Sequence, residues 1–511
     1  MSRHWFLAGA IAGGVVVAGC GEDALRPGRN SAAIVAADSV LLHSLGQLLT
    51  VPFQILSDSG LPVEDTVPHL EVTDGAIATL VSANDSGVVL RAETNGSTIL
   101  RISLGALSKD VTVTVSQIPV SLELGWADTL PIRTAPAGAP LPLACVALDS
   151  NGIFLDQPAL VEGRTGVVVG SACNDLRSFR SGFDTLTVRA GSLEQTIPVI
   201  IALQATVTPS LGEPLQADSV PAGMFPWAPT LIDVPGGSLD LYFTGYLTDS
   251  TSPTHLRGDL HRFRSQDDGA TFQYDGVALT RDSTPCSPTG DGIENVAVAP
   301  RAEGGGFRMF YASGGFTCYG WQVFSAVSPD QTSWTREPGV RLSNGGTLPP
   351  APPITPPWPA GEGMVIDQLP SGEWRMIAGT YQNVLPVEDK FQITEWRSPD
   401  QLSWSYVGGL LLTDDIGPEA QRSIYSPTIR EVVPGLYRMV FTGDNLNVPG
   451  GRSRLHTAVS LDRASWQYEG QLMGSEATDI FYSTLVDDLL VFIRQDLGQD
   501  RHLASARVTM P

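Results

Sequence analysis

"SAVSPDQTSW", residues Ser325 to Trp334, returns three more times in altered form: "FRSQDDGATF" from Phe263, "EWRSPDQLSW" from Glu395 and "TAVSLDRASW" from Thr457. The core serines Ser265, Ser328, Ser398 and Ser460 lie 63, 70 and 62 residues apart. An Asp two residues after the Ser can accept hydrogen bonds from backbone N–H groups of a tight turn, and the closing aromatic can pack between layers. An active site needs one such group; four copies at regular spacing punctuate a repeated fold. Asp330, Asp400 and Asp462 are therefore read as turn formers, and the chemistry is sought elsewhere.

The repeat extends outward from these turns. Strongly apolar strands precede them as "LDLYFTGY" (239), "FRMFYASG" (307), "EWRMIAGT" (373), "LYRMVFTG" (436) and "DLLVFIRQ" (488), which makes five units although four carry the turn. Units of this length with four short strands predict a β-propeller over residues 206–511. The last unit, ending "RHLASARVTMP", lacks a fourth strand, and "GEPLQADSV" (212 to 220) is expected to complete it and latch the ring. The turn joins the third and fourth strands, so the start of each first strand faces the central funnel. Those starts read "GMFPWAPTLID", "GDGIENVAVAP", "GEGMVIDQL", "QRSIYSPTIR" and "ATDIFYSTLV". They present Trp227, then Asp291 and Glu294, then Glu362, then Arg422 and Tyr425, then Asp479 and Tyr482. Aromatic faces and carboxylates together suit a sugar, whose C–H face stacks and whose hydroxyls or glycosidic oxygen take polar groups.

"SQDDGATF" fits the pattern S-x-D-x-G-x-T-F and resembles the Asp-box turn of sialidases and other glycan-active propellers. Five units with "S-P-D-x-x-S-W" turns resemble the five-bladed glycosidases of the arabinanase, xylosidase and fructosidase group. That resemblance implies an Asp of blade one as base or nucleophile, an Asp of blade two, and a Glu of blade three as acid. Glu362 corresponds to the acid, and Asp291 or Glu294 to the blade-two carboxylate. Blade one begins "FPWAP" without a carboxylate, which leaves Asp479 of the adjoining blade five as the candidate base. The resemblance thus implies a carbohydrate ligand, bound by Trp227, Arg422, Tyr425 and Tyr482. It leaves open whether the glycan is hydrolysed or only captured, and an envelope scaffold is a third alternative. Each residue also has a plainer role: Glu294 and Glu362 as solvated rim charges, Arg422 as a clamp to Asp479, Trp227 as packing, Asp291 as part of a Gly-Asp-Gly turn. A funnel filled by Trp227, Tyr425 and Tyr482 would leave no room for a sugar. The run "PPAPPITPPWP" (349 to 359) precedes Glu362 and is expected to be extended and stiff, a wall or a bridge between blades.

Upstream, the chain reads as all-β: short Val, Ile, Thr and Phe runs between Gly, Pro, Asp and Ser, with little 3.6-residue periodicity. The segments 33–117 and 118–205 close on "VTVTV" and "TIPVII" alternations, as strands with one buried face do. The first resembles the group 2 bacterial Ig-like domains, and the second repeats its grammar. Two Ig-like β-sandwiches followed by a five-bladed propeller is the expected fold. Residues 1–20, "MSRHWFLAGAIAGGVVVAGC", read as a signal peptide, too short for a membrane span. "VAGC" resembles the lipobox of bacterial lipoproteins, which implies lipidation at Cys20, a polar tether over 21–32, and attachment to the outer membrane or cell surface. The remaining cysteines, Cys145, Cys173, Cys286 and Cys318, are even in number. Local pairing is expected as Cys145 to Cys173 and Cys286 to Cys318. None sits in a CxxC, so no metal site and no cofactor is expected. With 54 acidic against 31 basic residues and a net charge of −23, the chain lacks the basic footprint that nucleic acid demands.

Overall fold

A computed structural model describes residues 31–126, 129–155, 158–216, 224–248, 256–282, 292–315, 320–342, 358–384, 388–417, 423–445, 453–475, 477–498 and 500–511. Within them the chain is nearly all β, with one short helix at Thr413–Ile416. It divides into two compact units, one of residues 1–123, 145–159 and 189–194, the other of 124–144, 160–188 and 195–511.

The first unit is built on two four-stranded sheets. One runs in the order Ser31–Ala36, Leu48–Ser57, Gly87–Ala92, Ala78–Ala83; the other Ser39–Leu42, Leu107–Val115, Gly96–Leu104, His69–Val72. Phe53, Ile55, Val88, Leu90, Leu100 and Ile102 fill the space between them. The alternation read in "VTVTV" holds: Val111, Val113 and Val115 are buried at 0 to 2% exposure while Thr112 faces water. Each such valine contributes about 1.5–3 kcal/mol relative to an exposed one.

Cys145 and Cys173 are disulfide-bonded, as expected. Cys286 and Cys318 lie outside the described residues, as do Cys20, Asp291 and Arg422.

The second unit contains a β-propeller. Five four-stranded antiparallel sheets follow one another, and their innermost strands are neighbours in cyclic order, the fifth meeting the first. These inner strands are Phe225–Val234, Ile293–Pro300, Trp358–Gln368, Ser423–Val433 and Thr478–Val486. All five apolar segments aligned from sequence are second strands. The proline-rich stretch lies outside the described residues except for its last two, which open Trp358–Gln368. Sheet five is completed by an upstream strand, as expected, but that strand begins six residues earlier: Thr206–Pro214 pairs with His502–Thr509, from Thr206 opposite Thr509 to Pro214 opposite Ala504. The pairing breaks register between Thr208 and Glu213, where Gly212 has φ 71°. A Cβ there would lie 2.5 Å from the Phe492 ring, so the latch needs glycine at this step.

The repeated turn joins the third and fourth strands, and its chemistry is local. Asp267 accepts from Ser265 Oγ (2.8 Å), Thr271 N–H (2.9 Å) and Thr271 Oγ1 (2.6 Å). These donors hold its carboxyl down at about 2. Asp330, Asp400 and Asp462 receive the same kind of bonds. The residue after each Asp takes a left-handed φ: Asp268 54°, Gln331 64°, Gln401 65°, Arg463 58°. That twist aims it at the preceding sheet. Gln331 O accepts from Arg262 (2.9 Å), Gln401 Oε1 from Arg308 (2.8 Å), and Arg463 pairs with Asp367. The aromatics follow: Trp334 donates to the Tyr242 hydroxyl (3.2 Å), and Trp404 meets Phe310 edge-on at 5.7 Å. The motif is an inter-sheet fastener.

Candidate functional site at the funnel

Each inner strand carries the same irregularity near its start. Pairing with the second strand breaks after Trp227, Glu294, Glu362, Tyr425 and Phe481. The next residue in each case has positive φ: Ala228 45°, Asn295 51°, Gly363 74°, Ser426 54°, Tyr482 47°. A β-bulge of this kind re-aims a side chain out of the regular alternation. Five equivalent bulges therefore place Trp227, Glu294, Glu362, Tyr425 and Phe481 in one ring of corresponding positions. Glycine is required at the third. A Cβ on Gly363 would lie 2.3 Å from Ser426 Cα, so G363A is expected to unseat Glu362, combining about 1–3 kcal/mol of overpacking with about 1–2 for the left-handed backbone. A fall in denaturant midpoint checks this.

Glu294 and Glu362 are 4% and 9% exposed. One nitrogen joins them: Asn295 Nδ2 donates to Glu362 Oε2 at 3.1 Å and to Glu294 Oε2 at 3.5 Å. Tyr246 donates its hydroxyl to Glu294, and Tyr482 hydrogen-bonds Glu362. Burial, reinforced by the charge of Glu362, pushes the Glu294 carboxyl well above the usual carboxylate range. Burial pushes Glu362 up to about 7, with Asp444 adding to the rise and the bonds from Tyr482 and Asn295 opposing it. Two carboxyls that share a donor in a dry site hold a proton at neutral pH. With the amide nitrogen between them, no anomeric carbon fits in the gap, so they act as one proton-holding unit.

A second group adjoins the pair. Tyr425 donates to Asp444 Oδ1 (3.2 Å), which also accepts from Ser453 Oγ (2.7 Å); Ser453 N–H donates to Asp479 Oδ1 (3.0 Å). Tyr425 and Tyr482 stand 5.2 Å apart and are buried, Tyr482 meeting Trp227 edge-on at 4.8 Å. Trp227, Phe391 and Phe481 are only half-buried around them. Trp227, Tyr425 and Tyr482 thus pack against one another, as the filled-funnel alternative expects, and the half-buried faces of Trp227, Phe391 and Phe481 are the aromatic surface left to a ligand. Burial and the neighbouring carboxylates push both tyrosine hydroxyls well above their ordinary value.

Of the residues singled out from sequence, the structure brings Glu294, Glu362, Trp227, Tyr425 and Tyr482 together. Asp479 reaches Ser453 and the Asp444 group. Tyr246, Asn295, Asp444 and Arg501 were missed. Tyr246 and Asp444 had a signal: each follows an "FTG" run, in "YFTGY" and "VFTGD", two residues beyond Thr244 and Thr442, the partners of Trp227 and Tyr425. Among the described residues, no group of three or more His, Cys, Asp or Glu is placed to hold a metal ion. Beyond the bulges a cavity of about 210 Å³ is lined by all five inner strands, from Asn295, Gly363, Ser426 and their neighbours onward.

No protein-family model and no curated protein matches the sequence. Solved structures are similar at low identity. A chain described as a glycoside hydrolase is 13% identical, over 60% of this chain and 93% of its own, with a TM-score of 0.45. An endo-arabinase from Bacteroides thetaiotaomicron VPI-5482 is 12% identical over 59% and 98%, TM-score 0.40. A GH43 endo-arabinanase from Bacillus licheniformis is 12% identical over 57% and 96%, TM-score 0.38.

Proposed function

We propose that this chain is an exported lipoprotein, anchored through Cys20 to the outer membrane or cell surface, whose two Ig-like modules present a five-bladed propeller that acts on a carbohydrate. The observation that carries the reading is the buried Glu294–Glu362 pair, bridged by Asn295 and edged by half-buried aromatic rings. A glycosidic oxygen needs a proton as its bond breaks, and a carboxylic acid still protonated near pH 7 supplies one. Glu362 is the donor in this reading. Tyr482 and Asn295 hold its orientation, and burial together with the charge of Asp444 keeps its proton in place. Water attacking the anomeric carbon would lose its proton to a carboxylate across the sugar, a role for which Asp444, Asp479 or Asp291 is available.

One observation favours a second reading, capture without cleavage. The ring position of sheet one holds Trp227, not a carboxylate. The two separate in a release assay. The full chain is incubated with a panel of oligosaccharides, with new reducing ends and retention on immobilised glycan both measured. Hydrolysis predicts release that Glu362→Gln slows at least about a hundredfold; capture predicts retention without release. Neither release nor retention on any glycan overturns both.

A further inference from the structure

Four arginines within the propeller sheets have carboxylate partners. Arg262 pairs with Asp275, Arg308 with Glu337 at 2.7 Å, Arg375 with Asp367 at 2.9 Å and Arg438 with Glu469 at 2.8 Å. Arg501 differs. It lies in the turn between Leu489–Asp496 and His502–Thr509, at the funnel end, because Asp496 is opposite Thr478 at the start of the inner strand. Its guanidinium carbon is 4.5 Å from the Trp227 ring centroid and 5.1 Å from that of Phe481. Its Nε donates to Gln495 Oε1 at 3.1 Å. Among the described residues it has no salt bridge. Its nearest acids by position are Asp500, its chain neighbour, and Asp479, paired across the strands with Gln495; Asp496 is taken by Arg494 at 2.8 Å.

This placement has a chemical meaning. A guanidinium stacked on rings keeps its in-plane amino edge available, and that edge matches a carboxylate in two parallel hydrogen bonds. Half-burying such a cation without a counter-charge costs free energy that a bound anion restores. Tyr482 links the two sites directly, touching Trp227 on one side and Glu362 on the other. We propose, building on the carbohydrate reading above, that the glycan taken by this funnel carries a uronic acid whose carboxylate seats on Arg501 beside Trp227. Of the acid groups around that seat, the Glu294–Glu362 pair retains a proton and Asp479 accepts from Ser453 N–H at 3.0 Å. The net charge of −23 opposes approach only at long range, and physiological salt screens it beyond about 8 Å. Arg501 is then a specificity residue, and its interaction is made at contact.

The test uses the full chain, R501Q and R501K, with near-UV circular dichroism to confirm that each variant is folded. The probes are oligogalacturonate, oligomannuronate and a glucuronate-bearing xylan oligosaccharide, each beside the same compound with its carboxyls reduced to alcohols. The native chain is expected to bind at least one acidic probe about tenfold more tightly than its reduced form, the size of a single charge-assisted contact. R501Q should bring the two within threefold by weakening the acidic probe alone, and R501K, which keeps charge without the planar fork, should fall between. Equal binding of acidic and reduced probes by the native chain, or a preference that survives in R501Q, overturns the inference. Binding of neutral glycans only overturns the inference and leaves the carbohydrate reading standing; binding of no glycan overturns both.

Discussion

Glu362→Gln is expected to lower glycan turnover by about 10²–10⁴-fold, the usual worth of a positioned general acid, and at the same time to make the protein more stable in alkali. The second effect follows from linkage. The folded Glu362 carboxyl titrates at about 7 against an ordinary 4.5. A group raised in the folded state contributes stability that is fully present below its unfolded value and lost as pH rises through its folded value. The native protein therefore loses stability between about pH 4.5 and 7, on the order of 3 kcal/mol for a single carboxyl. Gln at 362 never ionises and removes that loss. Melting temperatures at pH 5 and pH 8 should differ less in the variant than in the native chain. A surface carboxylate would show neither effect.

Arg308→Met is expected to destabilise the propeller in a pH-dependent way. Arg308 is 1% exposed and bonds Glu337, Glu303 and Gln401, the last belonging to the turn of the next sheet. Removing Arg308 leaves Glu337 with Ser325 Oγ at 2.6 Å and Arg341 at 3.6 Å but without its charge-assisted bonds from Arg308, at about 1.5–3 kcal/mol. The loss should depend on pH. Arg308 and Ser325 hold Glu337 down at about 2 against the desolvation that burial imposes. A depressed carboxyl contributes stability above its unfolded value and loses it as pH falls through the folded one. The gap between native and variant should accordingly be full at pH 7 and shrink from about pH 4.5 toward 2, as the carboxylate that needs the arginine is neutralised. Urea titrations at pH 7 and pH 3 measure it. An unchanged gap would mean that Arg308 contributes packing alone.

These cases show why the fold was easier to read than the site. The turn at Ser328 and Asp330 is closed by its own neighbours, so its residues recur in each copy and announce the repeat. The second strands are buried on both faces and read as apolar runs. The latch was placed late because its turn geometry rests on Gly212 against Phe492, a contact made across 280 residues of chain. The funnel depends on similar distant meetings. Glu294 and Glu362 were visible because inner strands begin there, and Asn295 was not, because it enters the site only through a bulge. Arg501 sits in "GQDRH", an unremarkable turn; ring closure alone carries it to Trp227. Tyr425 and Tyr482, expected to bind the ligand, pack with Trp227 and turn their hydroxyls to Asp444 and Glu362.

The most direct measurement is the pH profile of sugar release by the full chain from acidic and neutral oligosaccharides, scored as new reducing ends between pH 4 and 9. With Glu362 as proton donor, release should be present at acid and neutral pH and decline as pH rises through about 7, and E362Q should release at least about a hundredfold more slowly at every pH. Release by E362Q at the native rate, or a native profile that keeps rising above pH 8, would contradict the account.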